Sequence, residues 1–200
     1  TNNINGNNQS NETNKWYSEY QFIKQLSRLE GLNITGGLVM SQTFSHAKLY
    51  SNGYSPDNHL QNFAVYSQLD KKMWRVLNAT VGVRGEYFKM NNEEYVAKPI
   101  VRAGLNLKLA KATFLRYSYG QGYRFPTITE KFISSSTGGI AIYPNKNIQP
   151  ESSWNTEVGI KQGYKINKFI GYLDLAAFWQ EYINTIEFIY AFWNKDTSGN

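Results

Sequence analysis

Apolar and polar residues take turns along this chain in segments far longer than most strands. Between Arg75 and Lys89 the odd positions hold Leu77, Ala79, Val81, Val83 and Tyr87, and the even ones Asn78, Thr80, Arg84 and Glu86. A period of two sends the two sets to opposite faces of one extended strand. The split recurs at Val101, Ala103, Leu105 and Leu107 against Arg102, Gly104, Asn106 and Lys108. It recurs again at Trp154, Thr156, Val158 and Ile160 against Asn155, Glu157, Gly159 and Lys161. Eight such strands are expected, at about residues 16–28, 32–45, 60–70, 75–89, 98–108, 112–123, 152–165 and 169–183. Lys24 interrupts the first, where a helix over Gln25–Leu29 competes, and Phe178 stands on the wrong face of the last.

At 11 to 15 residues these strands are about twice the usual soluble length and long enough to cross a hydrocarbon layer. Their polar faces carry Arg84, Glu86, Arg102, Arg116, Glu157, Lys161 and Asp174. A wet lumen accommodates such charges, whereas a sandwich core or an apolar ligand cavity does not. Connections alternate without exception, short near residues 29–31, 71–74, 109–111 and 166–168, longer at 45–59, 90–97 and 124–151. Outer-membrane barrels are built this way, with the long loops outside the cell. Trp16, Tyr87, Tyr119, Tyr123, Trp154 and Trp179 gather toward the long loops, and Trp74 and Tyr164 toward the short turns, as interfacial girdles do. Rings along a lipid face also explain how 15 Tyr, 11 Phe and 5 Trp coexist with a mean hydropathy of −0.52. The longest apolar run, Leu175–Trp179, is too short for a membrane helix.

Counting turns adds a constraint. If the first connection is a short turn, eight strands leave both chain ends on the long-loop side, whereas a complete bacterial barrel has both ends in the periplasm. The fold expected is therefore all-β, an antiparallel transmembrane β-barrel segment cut inside two external loops, with residues 1–15 and 184–200 as loop remnants. Two other readings stand beside it. One is a complete small outer-membrane barrel with a structural or adhesive role, against which the external termini argue. The other is a soluble β protein binding an apolar ligand, against which the inward charges argue.

The stretch Phe114–Phe132, FLRYSYGQGYRFPTITEKF, and the stretch Ile142–Ile166, IYPNKNIQPESSWNTEVGIKQGYKI, resemble the C-terminal half of the β-barrel of TonB-dependent outer-membrane receptors. In that family a strand ends in Arg-x-Pro with a Glu nearby, a loop closes with Asn-x-x-Leu-x-Pro-Glu, and the next strand bears Glu-x-Gly. The matching residues are Arg124 to Pro126, Glu130, Asn147 to Glu151, and Glu157 with Gly159, with Ile148 near the place of the family's Leu. Asn62–Asp70, NFAVYSQLD, is similar to another strand of the same barrels. The resemblance implies about eight strands of a 22-stranded barrel, residues 1–200 being a partial barrel domain without its plug domain, TonB box or closing strands. It also implies TonB-coupled import of a scarce nutrient, such as a metal chelate or siderophore, cobalamin or a glycan, in the cell outer membrane. The partners implied are outer-membrane lipid, the plug domain of the full-length chain, TonB through that N-terminal part, and the imported small molecule or glycan.

Arg84, Glu86, Arg102, Arg116, Glu157 and Lys161 are candidates for facing the lumen and a plug. Tyr50, Tyr54, Arg124, Glu130 and Tyr143 are candidates for ligand contact from the long loops, because rings stack on sugars and chelates and loops carry recognition. No catalytic constellation is expected: no Gly-x-Ser-x-Gly elbow is present and both His fall in one connection. The chain is not read as an enzyme and no cofactor is expected. His46, Asp57 and His59 match no metal-ligand spacing, so no metal site is expected either. Gly120-Gln121-Gly122 lacks the third glycine and the helix of a dinucleotide fingerprint. The formal charge of +6 comes from scattered Lys and Arg, so nucleic acid is not an expected partner. The absence of Cys removes thiolate and disulfide chemistry.

Overall fold

The computed structural model describes residues 11–26, 31–50, 55–137, 140–145 and 147–187. Its strands are β1 (Asn11–Leu26), β2 (Leu32–Ala47), β3 (Asp57–Met73), β4 (Leu77–Met90), β5 (Glu93–Val96), β6 (Ile100–Ala110), β7 (Thr113–Arg124), β8 (Ser135–Thr137), β9 (Ile140–Ile142), β10 (Glu151–Ile166) and β11 (Phe169–Ile183), with one short helix, α1 (Ile128–Phe132). Nine of the strands form one antiparallel sheet in the order β1-β2-β3-β4-β6-β7-β10-β11, with β5 folded back on β4, and β8 and β9 form a separate hairpin. All eight expected strands are present as an uninterrupted meander. Gln25 and Leu26 close β1 as strand, so the competing helix does not form over them, while residues 27–30 lie outside the described ones.

The differences lie in the long connections. Residues 45–47 and 57–59, expected as loop, form the outer ends of β2 and β3, so His46 and Asp57 are paired strand residues. Residues 90–97 make a tight hairpin, in which Asn91 takes a positive φ of 53° and β5 returns along β4. At the opposite end Met73 pairs with Leu77, and Trp74 and Arg75 both adopt positive φ in the turn between them. The connection of β10 to β11 is a two-residue turn with positive φ at Asn167. Positive φ at both Trp74 and Arg75 gives that turn a twist matching the right-handed twist of the strands it joins.

Register fixes the two faces. One carries exposed apolar side chains across the sheet, among them Leu38, Phe63, Val83, Leu105, Val158 and Leu175. On the other, Val39 and Ala64 are buried in the row Glu19–Val39–Ala64–Glu86. Phe178, paired with Glu157, belongs to this second face, which accounts for its break in the alternation. Apolar residues outward and polar residues inward is the inversion that lipid requires.

Candidate functional site

Three polar clusters line the inner face. In the first, Tyr66 on β3 donates from its hydroxyl to Glu19 Oε1 at 2.7 Å and accepts from Gln21 Nε2 at 2.9 Å, both on β1. The Tyr66 ring must cross the whole of β2 to do so. Gly37 permits it, because a Cβ there would lie 2.6 Å from the Tyr66 ring and 2.7 Å from the Tyr20 carbonyl. Tyr17 donates to the other Glu19 oxygen at 2.6 Å, and Arg84, ion-paired with Glu86, lies over the Tyr66 ring at 5.9 Å.

The second cluster repeats the device. Arg116 on β7 donates from Nε to Glu157 on β10 at 3.0 Å and reaches past it to Asp174 on β11 at 2.8 Å. Its guanidinium passes over Gly159, where a Cβ would stand 2.7 Å from Nε and 2.9 Å from Cζ. The Glu-x-Gly of β10 thus has a physical meaning: the glutamate binds the arginine and the glycine clears its path. Gly159→Val should displace Arg116 and leave Asp174 without its cation. The groups are about a third exposed and solvent screens them, so the loss of stability is expected to be small but measurable. Urea unfolding of the membrane-inserted protein reads it, and a variant with unchanged stability contradicts the crossing geometry.

The third cluster sits at the long-loop rim. Arg124, the last residue of β7, binds Glu151 through Nε and Nη2 at 2.6 and 2.8 Å and Glu130 through Nη1 at 2.8 and 3.0 Å. Glu130 also closes a capping box on α1, accepting from the Thr127 backbone amide at 2.8 Å while the Thr127 hydroxyl accepts from the Glu130 amide at 3.2 Å. Arg124, with the Ile186 backbone amide, holds the Glu151 carboxyl down at about 2, and the two carboxylates raise the guanidinium further. Burial pushes Glu130 up, but the Thr127 amide and Arg124 outweigh it and its pKa falls below the ordinary value. A carboxylate with a depressed folded pKa stabilises above its unfolded pKa and loses that contribution as pH falls. Hydrogen-exchange protection of residues 127–133 should therefore be constant above about pH 4.5 and decline toward pH 2. Arg124→Gln should flatten that decline, and an unaltered profile contradicts the assignment.

Beneath the rim lies a small apolar core of Ala47, Tyr50, Phe88, Met90, Ala97, Phe125, Ile128 and Phe132. Phe125 stacks on Phe88 at 4.7 Å and meets the edge of Tyr95 at the same separation. Lys131 is buried with its ammonium paired to Glu93 and 3.2 Å from the Tyr95 hydroxyl. Burial opposes its charge, yet those partners prevail and its pKa rises.

Arg84, Glu86, Arg102, Arg116, Glu157 and Lys161 all fall on the inner face by register. Arg84 and Glu86 come together, as do Arg116 and Glu157. Lys161 lies over the Tyr172 ring at 4.0 Å, and Arg102 stands between Gly82 and Gly120 without an ion pair among the described residues. Of the loop candidates, Arg124 and Glu130 share the rim cluster and Tyr143 is exposed. Tyr54 lies outside the described residues. Tyr50 is corrected from an exposed ring to a buried one, 2% exposed, with its hydroxyl 2.9 Å from Thr129 Oγ1. Tyr17, Glu19, Gln21 and Tyr66 escaped the sequence reading, although their parity puts them inward. His46 binds Asp57 at 2.7 Å and His59 stacks on Phe44, and no group able to hold a metal ion occurs among the described residues.

The comparisons agree with this architecture. The haemophore receptor HasR of Serratia marcescens, solved with its haemophore HasA and haem, superposes with a TM-score of 0.71 at 16% identity over 88% of this chain and 34% of its own. The siderophore receptor PirA of Pseudomonas aeruginosa gives 0.71 at 14% identity over 86% and 32%. The copper transporter OprC gives 0.62 at 14% identity over 84% and 30%. The chain thus spans about a third of the length of the structures it resembles, and at these identities the likeness is one of fold. No curated protein matches it in sequence. The family model for the TonB dependent receptor-like β-barrel matches residues 1–198, so the chain belongs to the TonB-dependent receptor β-barrel family, whose members are outer-membrane transport receptors.

Proposed function

We propose that the chain is the partial barrel domain of a 22-stranded receptor that imports a scarce nutrient across the outer membrane, driven through TonB. The observation that carries this reading is the charged, hydrogen-bonded inner face set behind an exposed apolar one. The inner clusters around Glu19–Arg84 and Arg116–Asp174 offer donors and acceptors to a plug domain in the full-length chain. Each is largely satisfied within the wall, so they guide a plug's seating more than they hold it. Tyr143 and the outer surface of the 124–151 connection are the ligand-facing part, with Arg124, Glu130 and the buried Tyr50 shaping that surface from below. A metal chelate such as a siderophore complex or haem is the leading cargo class, with cobalamin and glycans behind it, because the structural relatives are receptors for haem and siderophores and a copper transporter.

The full-length receptor, expressed in receptor-deficient cells, tests this with radiolabelled ferric siderophores, haem, copper, cobalamin and maltodextrins. Accumulation of one of them should require both TonB and a proton-motive force. Accumulation that survives an uncoupler, or none above receptor-less cells for the whole panel, overturns the reading.

A further inference from the structure

The two ends of the sheet differ in charge. At the long-loop end Glu93, Glu94, Glu130 and Glu151 each pair with Lys131, Lys89 or Arg124. At the short-turn end, counting the turns and the three strand residues on either side, the described residues hold eight cations and no acid. Among the described residues the nearest carboxylate, Asp70, already accepts from Gln68 and from Thr80 at 2.6 Å. Five of the cations stand on the apolar face or at turn tips: Lys24, Lys71, Arg75, Lys111 and Lys168. The other three, Lys72, Lys108 and Lys165, project to the inner face by register. None of Lys24, Arg75, Lys111 and Lys168 forms an ion pair among the described residues, and all four are exposed.

These outward cations adjoin exposed apolar side chains. Trp74 is 80% exposed and Phe169 79%, with Leu109 and Ile166 also open on the same end. A ring and a cation side by side at the edge of an apolar band suit the boundary where acyl chains give way to headgroups. Turn-end cations without acidic partners take their counter-charge from outside, and in that place the available charge is lipid phosphate.

We infer that the short-turn rim is a binding surface for anionic phospholipid headgroups of the periplasmic leaflet, with Lys24, Arg75, Lys111 and Lys168 as its phosphate contacts. The inference rests on the proposed orientation, with the apolar face in lipid and the turns in the periplasm. Such a rim fixes the depth of the barrel at the inner interface while the aromatic girdle fixes it at the outer one. It selects phosphatidylglycerol over zwitterionic phosphatidylethanolamine, since only the former brings net negative charge.

The full-length receptor, inserted into mixed phosphatidylethanolamine and phosphatidylglycerol vesicles and extracted gently, is assayed for co-purifying lipid by mass spectrometry. The wild type should be enriched in phosphatidylglycerol. A variant carrying Lys24→Gln, Arg75→Gln, Lys111→Gln and Lys168→Gln should lose about tenfold or more of that enrichment. The inner-face variant Lys72→Gln, Lys108→Gln, Lys165→Gln should keep it. Equal loss in both variants, or retention in the first, overturns the inference. Should the fourfold variant fail to fold, the wild type decides by salt: enrichment should vanish near 1 M, where charges are screened within about 3 Å, and salt-independent enrichment overturns it. A wild type that never inserts into the vesicles refutes the proposed orientation itself, an outcome distinct from insertion without lipid preference.

Discussion

Replacing Leu105 by arginine should cost the inserted protein about 2–4 kcal/mol, whereas Asn106→Arg, one residue along, should stay within about 0.5 kcal/mol. Leu105 lies at the middle of β6, between Ala79 and Tyr117, and is 46% exposed on the apolar face. An arginine there meets hydrocarbon at the depth where neither interface is within reach. Asn106 points the other way, into the row that holds Arg116, where a charged group is solvated. A single-residue step therefore separates a severe lesion from a mild one, which no soluble sheet with two wet faces would do. Urea unfolding in lipid vesicles measures the difference. Equal stability of the two variants contradicts the assignment of faces.

The contrast depends on register, and register is what the sequence conveys best in this chain. Parity alone assigns Arg84, Arg102, Arg116 and Lys161 to one face, and the structure agrees at each position. Parity does not say which residues meet across strands. Tyr66 and Glu19 are 47 positions apart, and their bond depends on Gly37 removing the one Cβ in the way. Arg116 and Asp174 are 58 apart and depend in the same manner on Gly159. A glycine within an alternating strand marks relief of crowding, but the ring or guanidinium that fills the relief comes from a neighbour whose alignment only the turns define.

The long connections were less legible for a different reason. Long-range packing, not periodicity, decides which loop residues are buried. Tyr50 reads as an exposed loop ring until α1 is placed above it, and a local signal for α1 was present in Thr127-Ile128-Thr129-Glu130, the pattern of a capping box. Arg124 and Glu130 were readable through the family motif, and the structure supplies the physical reason for that motif. It ties the end of β7, the cap of α1 and the start of β10 into one ionic knot. The knot orients the connection, and the apolar core beneath holds it down.

Phe125→Ala should release that connection while leaving the barrel wall intact. Phe125 is 8% exposed, stacks on Phe88 of β4 and meets Tyr95 of β5 edge-on, so it joins a loop to the wall from the inner side. Truncating a buried phenylalanine costs about 3–5 kcal/mol. Here the loss falls on the closed position of residues 125–132, because the strands keep their ladder without it. A change of about 3 kcal/mol multiplies the open population roughly a hundredfold. The amides of Lys131 and Ile133, which donate to Thr127 O at 3.2 Å and Thr129 O at 3.0 Å, should lose protection from hydrogen exchange by that factor. Amides in the middle of β4 and β6 should not change. Loss of protection at both places would mean that the core supports the wall as well as the loop. Unchanged protection at Lys131 would mean that the ionic knot alone holds α1, leaving the rings as passive filling. The two contributions separate in the double variant with Arg124→Gln: if knot and core act on one closed state, its effect on Lys131 protection should exceed that of either single change.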